Sequence, residues 1–189
     1  MKSVFAAALA IVLQAAGTSA DAHRLDEYLQ ATTFSLEKDQ IRIDIRLAPG
    51  VLVVREVLAM IDTDRNGVIA DVETRAYAQR LQRDLSLTLD GKPLRMRLLS
   101  SSTDDIETLE AGVSEIHFRF VADATSASAQ RRLVFENKHG IAIASHLVNS
   151  LVPADPNIRI TAQKRNASQS WYQLDYTLIA PLAAGSARR

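Results

Sequence analysis

The chain lacks cysteine altogether, since none of its 189 residues is one. Disulfide bonds, thiol redox chemistry and cysteine nucleophiles are therefore excluded. The chain also lacks an excess of either charge, because 22 Lys and Arg residues balance 22 Asp and Glu residues. A protein without net charge is not drawn over long distances to nucleic acid or to an anionic membrane, so the sequence predicts no nucleic-acid partner.

Common catalytic motifs are missing as well. The sequence contains no Gly-x-Ser-x-Gly motif and no phosphate-binding glycine loop. Asp26-Glu27 and Asp104-Asp105 are paired acids, but adjacent residues on a loop or strand point apart and do not converge on one reacting atom. We therefore predict a protein without catalytic activity. The alternative is a hydrolase whose site the sequence does not reveal.

The amino terminus has the pattern of an export signal. Lys2 gives a positive start, residues 4–13 are apolar, and small residues lead up to Ala22. The apolar run is shorter than the roughly 20 residues that a membrane-spanning helix needs, and no later segment is long enough. We predict a signal peptide over residues 1–22, or 1–20 if cleavage follows Ala20. The mature protein is then periplasmic or secreted and has no membrane span.

Apolar and polar residues alternate over most of the remaining chain. Ile41, Ile43 and Ile45 are separated by charged residues, which is typical of a strand with one buried face. Asp90-Gly91 lies between two such segments and predicts a β-hairpin. We predict a mostly β fold, an antiparallel, immunoglobulin-like β-sandwich, as one domain over residues 23–180 with a flexible tail at 181–189. The predicted strands cover residues 32–36, 41–47, 85–89, 94–98, 116–121, 132–136, 158–162 and 172–178.

Residues 50–84 depart from this alternation. Apolar residues from Val54 to Ile61 follow i, i+3, i+4 and i+7 spacing, which predicts an amphipathic helix. A second segment, residues 71–83, is rich in helix formers, with acidic residues in its first turn and arginines near its end. The sequence therefore predicts a helix–loop–helix insertion between two strands of the sandwich.

The loop of this insertion has the spacing of a calcium-binding EF-hand. Asp62, Asp64 and Asn66 occupy positions 1, 3 and 5, where side-chain oxygens point at the ion. Val68 at position 7 offers its carbonyl oxygen, and Glu73 at position 12 offers both carboxylate oxygens. We predict that these five residues bind one Ca²⁺ and that calcium is the only cofactor.

Three further positions of the loop bear on this prediction. Gly67 stands at position 6, where the chain must turn sharply, and Ile69 at position 8 can anchor the loop in the core. Ala70 at position 9 has no ligand atom, so we expect water to fill that coordination site. An isolated acidic turn would explain the carboxylates but not the glycine, isoleucine and glutamate at their fixed offsets.

His23 suggests a second, independent metal site. Cleavage after Ala22 makes His23 the amino-terminal residue, so its amine and imidazole can chelate one ion. Cleavage after Ala20 places His23 third, and the amine, two backbone amides and the imidazole can then form a square-planar site for Cu(II) or Ni(II). An alternative function is therefore nickel or copper handling. We expect His117 at the surface and His139 in a turn, with no metal-binding role for either.

Three stretches of the sequence resemble known families. Residues 22–30, the loop at residues 62–73 and Phe135-Glu136-Asn137 together resemble exported bacterial EF-hand domain proteins. More distantly, they resemble the soluble extracytoplasmic region that precedes the membrane part in nickel and cobalt permeases of the hydrogenase and urease accessory kind. The resemblance implies an exported protein whose calcium ion stabilises the fold or supports docking to a periplasmic or membrane protein partner.

Overall fold

The computed structural model describes residues 25–179, which form two five-stranded β-sheets and three short helices. The prediction of a mostly β fold is confirmed. The signal peptide predicted over residues 1–22 and the tail predicted over residues 181–189 lie outside the described residues. The strands are β1 (Tyr28–Leu36), β2 (Gln40–Pro49), β3 (Leu85–Leu89), β4 (Lys92–Pro93), β5 (Met96–Ser102), β6 (Ile116–Asp123), β7 (Gln130–Asn137), β8 (Ala144–Ser150), β9 (Ile158–Arg165) and β10 (Trp171–Leu178). The helices are α1 (Val54–Ile61), α2 (Asp71–Arg83) and α3 (Ile106–Glu110).

The strand order is β5-β6-β2-β1-β8 in the first sheet and β4-β3-β7-β10-β9 in the second. Neighbouring strands are antiparallel except for β1 and β8, which run parallel. The antiparallel prediction is therefore wrong for this one pair. A hairpin makes its two strands antiparallel, but the chain reaches β8 from β7 in the other sheet. The immunoglobulin-like assignment stays a prediction.

Aromatic side chains join the two sheets. Phe34 on β1 meets Phe135 on β7 edge to face, with ring centroids 5.1 Å apart. It also stacks on Tyr172 of β10, with centroids 5.8 Å apart. All three side chains are at most 1% exposed. The core therefore lies between the sheets, where alternate residues of β1, β2, β7 and β10 are buried.

The helix–loop–helix lies where the chain crosses from β2 in the first sheet to β3 in the second. Helix α1 buries Val54, Val57, Leu58 and Ile61, the face that the sequence predicts. Helix α2 packs against β5 and β3. None of the helices within residues 25–179 is long and apolar enough to cross a membrane.

The predicted hairpin of residues 85–98 is wrong beyond its turn. Asp90 and Gly91 do adopt the left-handed conformations, φ 53° and 78°, that such a turn needs. However, the turn is followed by only two residues that pair with β3, those of β4, while the other edge of β3 pairs with β7. The chain then crosses to the first sheet, where β5 pairs with β6. The alternation of apolar residues at 94, 96 and 98 predicts which face is buried but does not say which strand is the partner.

Two elements have no counterpart in the predictions. Strand β8 buries only His146 and Val148, so its sequence shows almost no apolar alternation. Helix α3 is five residues long and begins after Asp105, whose side chain accepts a hydrogen bond from the backbone N–H of Thr108 at 2.8 Å. The Asp-x-x-Thr sequence is a helix-capping signal that could have identified it.

Candidate metal centre

Three of the predicted ligand side chains meet in the loop between α1 and α2. Carboxylate oxygens of Asp62, Asp64 and Glu73 all lie within 4.8 Å of one another. Oxygens on opposite sides of a calcium ion are about 5 Å apart, because each is about 2.3–2.6 Å from the ion. The three carboxylates therefore have the separation of groups that share one cation.

Glu73 is fixed by backbone groups of the loop. Its Oε1 accepts hydrogen bonds from the backbone N–H of Thr63 at 2.7 Å and from the Thr63 hydroxyl at 2.9 Å. Its Oε2 accepts one from the backbone N–H of Ala70 at 3.1 Å. The donors at Ala70 and Thr63 hold the pKa of Glu73 below its usual value, so the carboxylate is charged at neutral pH. Glu73 thus ties the first turn of α2 to the start of the loop.

The two aspartates are ordered by the loop backbone in the same way. Asp62 accepts hydrogen bonds from the N–H groups of Asn66 and Gly67, each at 3.1 Å. Asp64 accepts from the N–H of Asn66 at 3.1 Å and from its side-chain amide at 2.9 Å. The loop therefore turns its N–H groups toward its own carboxylates, which fixes the positions of their oxygens.

Two residues of the loop adopt left-handed backbone conformations. Gly67 has φ 81°, as its place at the sharp turn predicts, and Arg65 has φ 59°. Such a φ is uncommon in a residue with a β-carbon. Nothing in the sequence marks Arg65 for it, since arginine has no preference for this region. These two residues let the chain turn back, so that the N–H groups of Asn66 and Gly67 reach the Asp62 carboxylate.

The remaining predicted site residues are less well defined by contacts. The side-chain oxygen of Asn66 accepts a hydrogen bond from the backbone N–H of Val68 at 2.8 Å. The Val68 side chain is exposed, so its expected contribution is the carbonyl oxygen alone. That contribution stays a prediction. His23 lies outside the described residues, and the nickel or copper site predicted there stays untested.

A chain of hydrogen-bonded polar side chains, most of them buried, lies beside α2 and is not predictable from the sequence. The Tyr28 hydroxyl lies 2.7 Å from that of Tyr77, which lies 2.9 Å from Nε2 of His139. Nδ1 of His139 lies 2.7 Å from Oδ2 of Asp84. We call these four residues the buried chain, although the Asp84 side chain at its outer end is 45% exposed. Burial raises the pKa of Tyr77 to about 12 and that of Tyr28 well above its ordinary value, so both hydroxyls stay protonated.

The histidines are more buried than expected. His139 lies in a turn before Gly140, as predicted, but it is only 5% exposed. His117 is half-buried, and its Nε2 lies 2.7 Å from Oδ2 of Asp44 on the neighbouring strand. The Asp84–His139 pair resembles the base of a hydrolase in composition. Asp84 is exposed, but the imidazole is buried and leaves no access for a substrate, so the pair lends the hydrolase alternative no support.

Comparison with protein-family models, curated proteins and solved structures found no match for this chain.

Proposed function

We propose that this protein binds one calcium ion in the loop at residues 62–73, which acts as a single EF-hand. The observation that carries the proposal is the convergence of the Asp62, Asp64 and Glu73 carboxylates within 4.8 Å between two helices. Three carboxylates so close together offer the oxygen ligands that a hard divalent cation such as Ca²⁺ prefers. Side-chain oxygen of Asn66 and the carbonyl of Val68 complete the proposed ligand set.

Calcium suits this ligand set better than magnesium. Glu73 presents both carboxylate oxygens at the loop, and a bidentate ligand with about seven oxygens fits the larger, flexible shell of Ca²⁺. Magnesium requires about six oxygens in octahedral geometry at shorter distances. Ala70 supplies no side-chain ligand at position 9, so we expect a water there and an affinity in the weak range of extracellular EF-hands, about 10⁻⁴ to 10⁻³ M.

The proposed role of the ion is structural, in an exported protein that catalyses no reaction. Glu73 lies in the first turn of α2, and Asp62 directly follows α1, so one cation bound by both joins the two helices. These helices connect the two sheets. Support of docking to a periplasmic or membrane protein is the alternative use of the same site. Plentiful calcium outside the cytoplasm would keep a site of this affinity occupied.

Calorimetric titration of the mature protein with calcium and with magnesium tests the proposal. We expect one calcium site at millimolar concentration and much weaker magnesium binding. Glu73→Gln should weaken calcium binding at least about tenfold, because it replaces a charged bidentate ligand with a neutral one. Asp62→Ala should weaken binding as much or more.

Asp71→Asn is the matched control for these variants. It removes one negative charge two residues from Glu73, at the exposed position 10 of the loop, which supplies no ligand. The control should bind calcium nearly as well as the wild type. Absence of binding heat from the wild type at millimolar calcium would refute the proposed function, as would equal losses in Glu73→Gln and Asp71→Asn.

A further inference from the structure

Helix α2 contains Glu73, which belongs to the loop at residues 62–73 that we call the metal loop. It also contains Tyr77 of the buried chain, and Asp84 follows its last residue directly. Glu73, Tyr77 and Asp84 follow i, i+4 and i+11 spacing, and Arg80 lies at i+7. At about 100° per residue these four positions form one stripe along the helix. Arg80 donates a hydrogen bond to the Met60 carbonyl in the last turn of α1. One face of α2 therefore contacts the metal loop through Glu73, His139 through Tyr77 and Asp84, and helix α1 through Arg80.

The loop that presents His139 is itself held firmly to the sheets. The Asn137 amide donates to Oε1 of Gln30 at 2.8 Å, and the Gln30 amide donates to the His139 carbonyl at 3.0 Å. The His139 backbone N–H donates to Oδ1 of Asn137 at 2.9 Å. Gln30 and Asn137 are at most 1% exposed. These hydrogen bonds hold His139 against the sheets, and α2 contacts it through Tyr77 and Asp84.

The hydrogen bonds of the buried chain run in one consistent direction. The Asp84 carboxylate can only accept, so Nδ1 of His139 donates to it. In the neutral imidazole, Nε2 then accepts from the Tyr77 hydroxyl, and the Tyr77 oxygen accepts from the Tyr28 hydroxyl. A second contact runs between the same segments, because the Lys138 backbone N–H donates to the Asp84 carbonyl at 2.9 Å. The carboxyl-terminal half of α2 is therefore held at two levels, through Tyr77 and through Asp84.

We propose that His139, Tyr77 and Asp84 are positioning residues for the metal loop, holding α2 so that Glu73 is in place before an ion binds. This inference rests on the proposed calcium binding. A site whose binding-competent state is only partly populated shows an apparent affinity reduced by that fraction. Loosening α2 at Tyr77 or Asp84 frees its first turn to move, and Glu73 is then in place for a smaller fraction of the time.

The test measures calcium affinity in the folded protein, well below its melting temperature. Tyr77→Phe keeps the ring and removes the hydroxyl, and should weaken calcium binding about fivefold. The matched control is Tyr172→Phe. Tyr172 is also fully buried, and its hydroxyl donates to Oε1 of Gln163 at 2.7 Å, but β10 has no part in the loop. The control should lose stability without losing calcium affinity.

A second pair of variants applies if Tyr77→Phe does not fold. Asp84→Ala removes the acceptor for His139 and should weaken calcium binding, whereas Asp84→Asn keeps an acceptor oxygen and should restore most of the affinity. Hydrogen exchange without calcium gives a second readout. Amides of residues 62–73 should exchange faster in Tyr77→Phe and in Asp84→Ala than in the wild type.

Three results would overturn the positioning role, and they are distinguishable. If the wild type binds calcium and the Tyr77 and Asp84 variants bind it equally well, the proposed function holds and positioning is wrong. If Tyr172→Phe weakens binding as much as Tyr77→Phe, the effect is general destabilisation. If the wild type itself binds no calcium, the proposed function fails and the positioning role fails with it.

Discussion

The metal loop and the buried chain are both networks of polar groups, yet they are built in opposite ways. In the loop, partners lie close in sequence: Glu73 contacts Thr63, and Asn66 contacts Asp62. In the buried chain, 49 residues separate Tyr28 from Tyr77, and 62 separate Tyr77 from His139. In the loop, Glu73 is buried, Asp62 and Ile69 are half-buried, and the other residues are exposed. Tyr28, Tyr77 and His139, by contrast, are at most 5% exposed.

This difference separates two kinds of stability. Local, exposed contacts can open and close without disturbing the sheets, so a metal ion can order the loop at little cost to the rest of the fold. Long-range, buried contacts form only when distant segments are already packed, and an unpaired group left among them has no water to bond with. We therefore expect variants of the buried chain, and of the buried residues that hold it, to lower the free energy of unfolding of the whole domain. Variants of the loop should act mainly on metal binding.

The largest effect is expected from Asn137→Ala, a buried residue that holds His139 of the buried chain. It removes two hydrogen bonds and leaves Oε1 of Gln30 and the N–H of His139 without partners, so we expect a loss of about 3 kcal/mol in the free energy of unfolding. Urea denaturation measures the loss. Asn149→Ala, at an exposed position of β8, should change stability by less than about 0.5 kcal/mol. Similar losses for the two variants would contradict the contrast between the regions.

Gly67→Ala should have an intermediate effect. No atom lies within 4 Å of the added β-carbon, so the cost is the strain of φ 81° alone, about 1 kcal/mol. Denaturation in EDTA isolates this cost from metal binding. Gly67→Asn should lose less, because asparagine tolerates left-handed backbone better than alanine does. A loss from Asn as large as that from Ala would show that the turn is not limited by backbone strain.

The smallest effect concerns Glu73 and pH in the metal-free protein. Its pKa is lowered from 4.5 in the folded state by backbone hydrogen bonds, the largest being that from Ala70. The stabilisation is therefore present above about pH 4.5 and is lost as the pH falls through the lower folded pKa. The stability difference between wild type and Glu73→Gln should shrink over that window in acid denaturation series. A difference that grows as the pH falls would have the wrong sign.

What the sequence predicts follows the same division between local and distant contacts. The loop residues and the α1 face are predictable because their spacing alone places them on one turn or one face. The start of β1 is not predictable in this way, because Gln30 and Thr32 are polar residues that point inward and break the apolar alternation. Gln30 is buried only because Asn137 and His139 satisfy its amide. His139 does lie in the predicted turn, but its burial is not predictable from the sequence, since the partners of its side chain are 55 and 62 residues away.

Thermal melting of the mature protein with calcium, with magnesium and with EDTA tests directly whether the loop at residues 62–73 binds calcium. If calcium binds only the folded state, a concentration about a hundred times the dissociation constant adds about 2.7 kcal/mol to stability. We expect a melting temperature that rises with calcium, returns to its starting value with EDTA, and rises far less with magnesium. Identical melting in calcium and in EDTA would contradict it and would mean that the loop at residues 62–73 binds no ion.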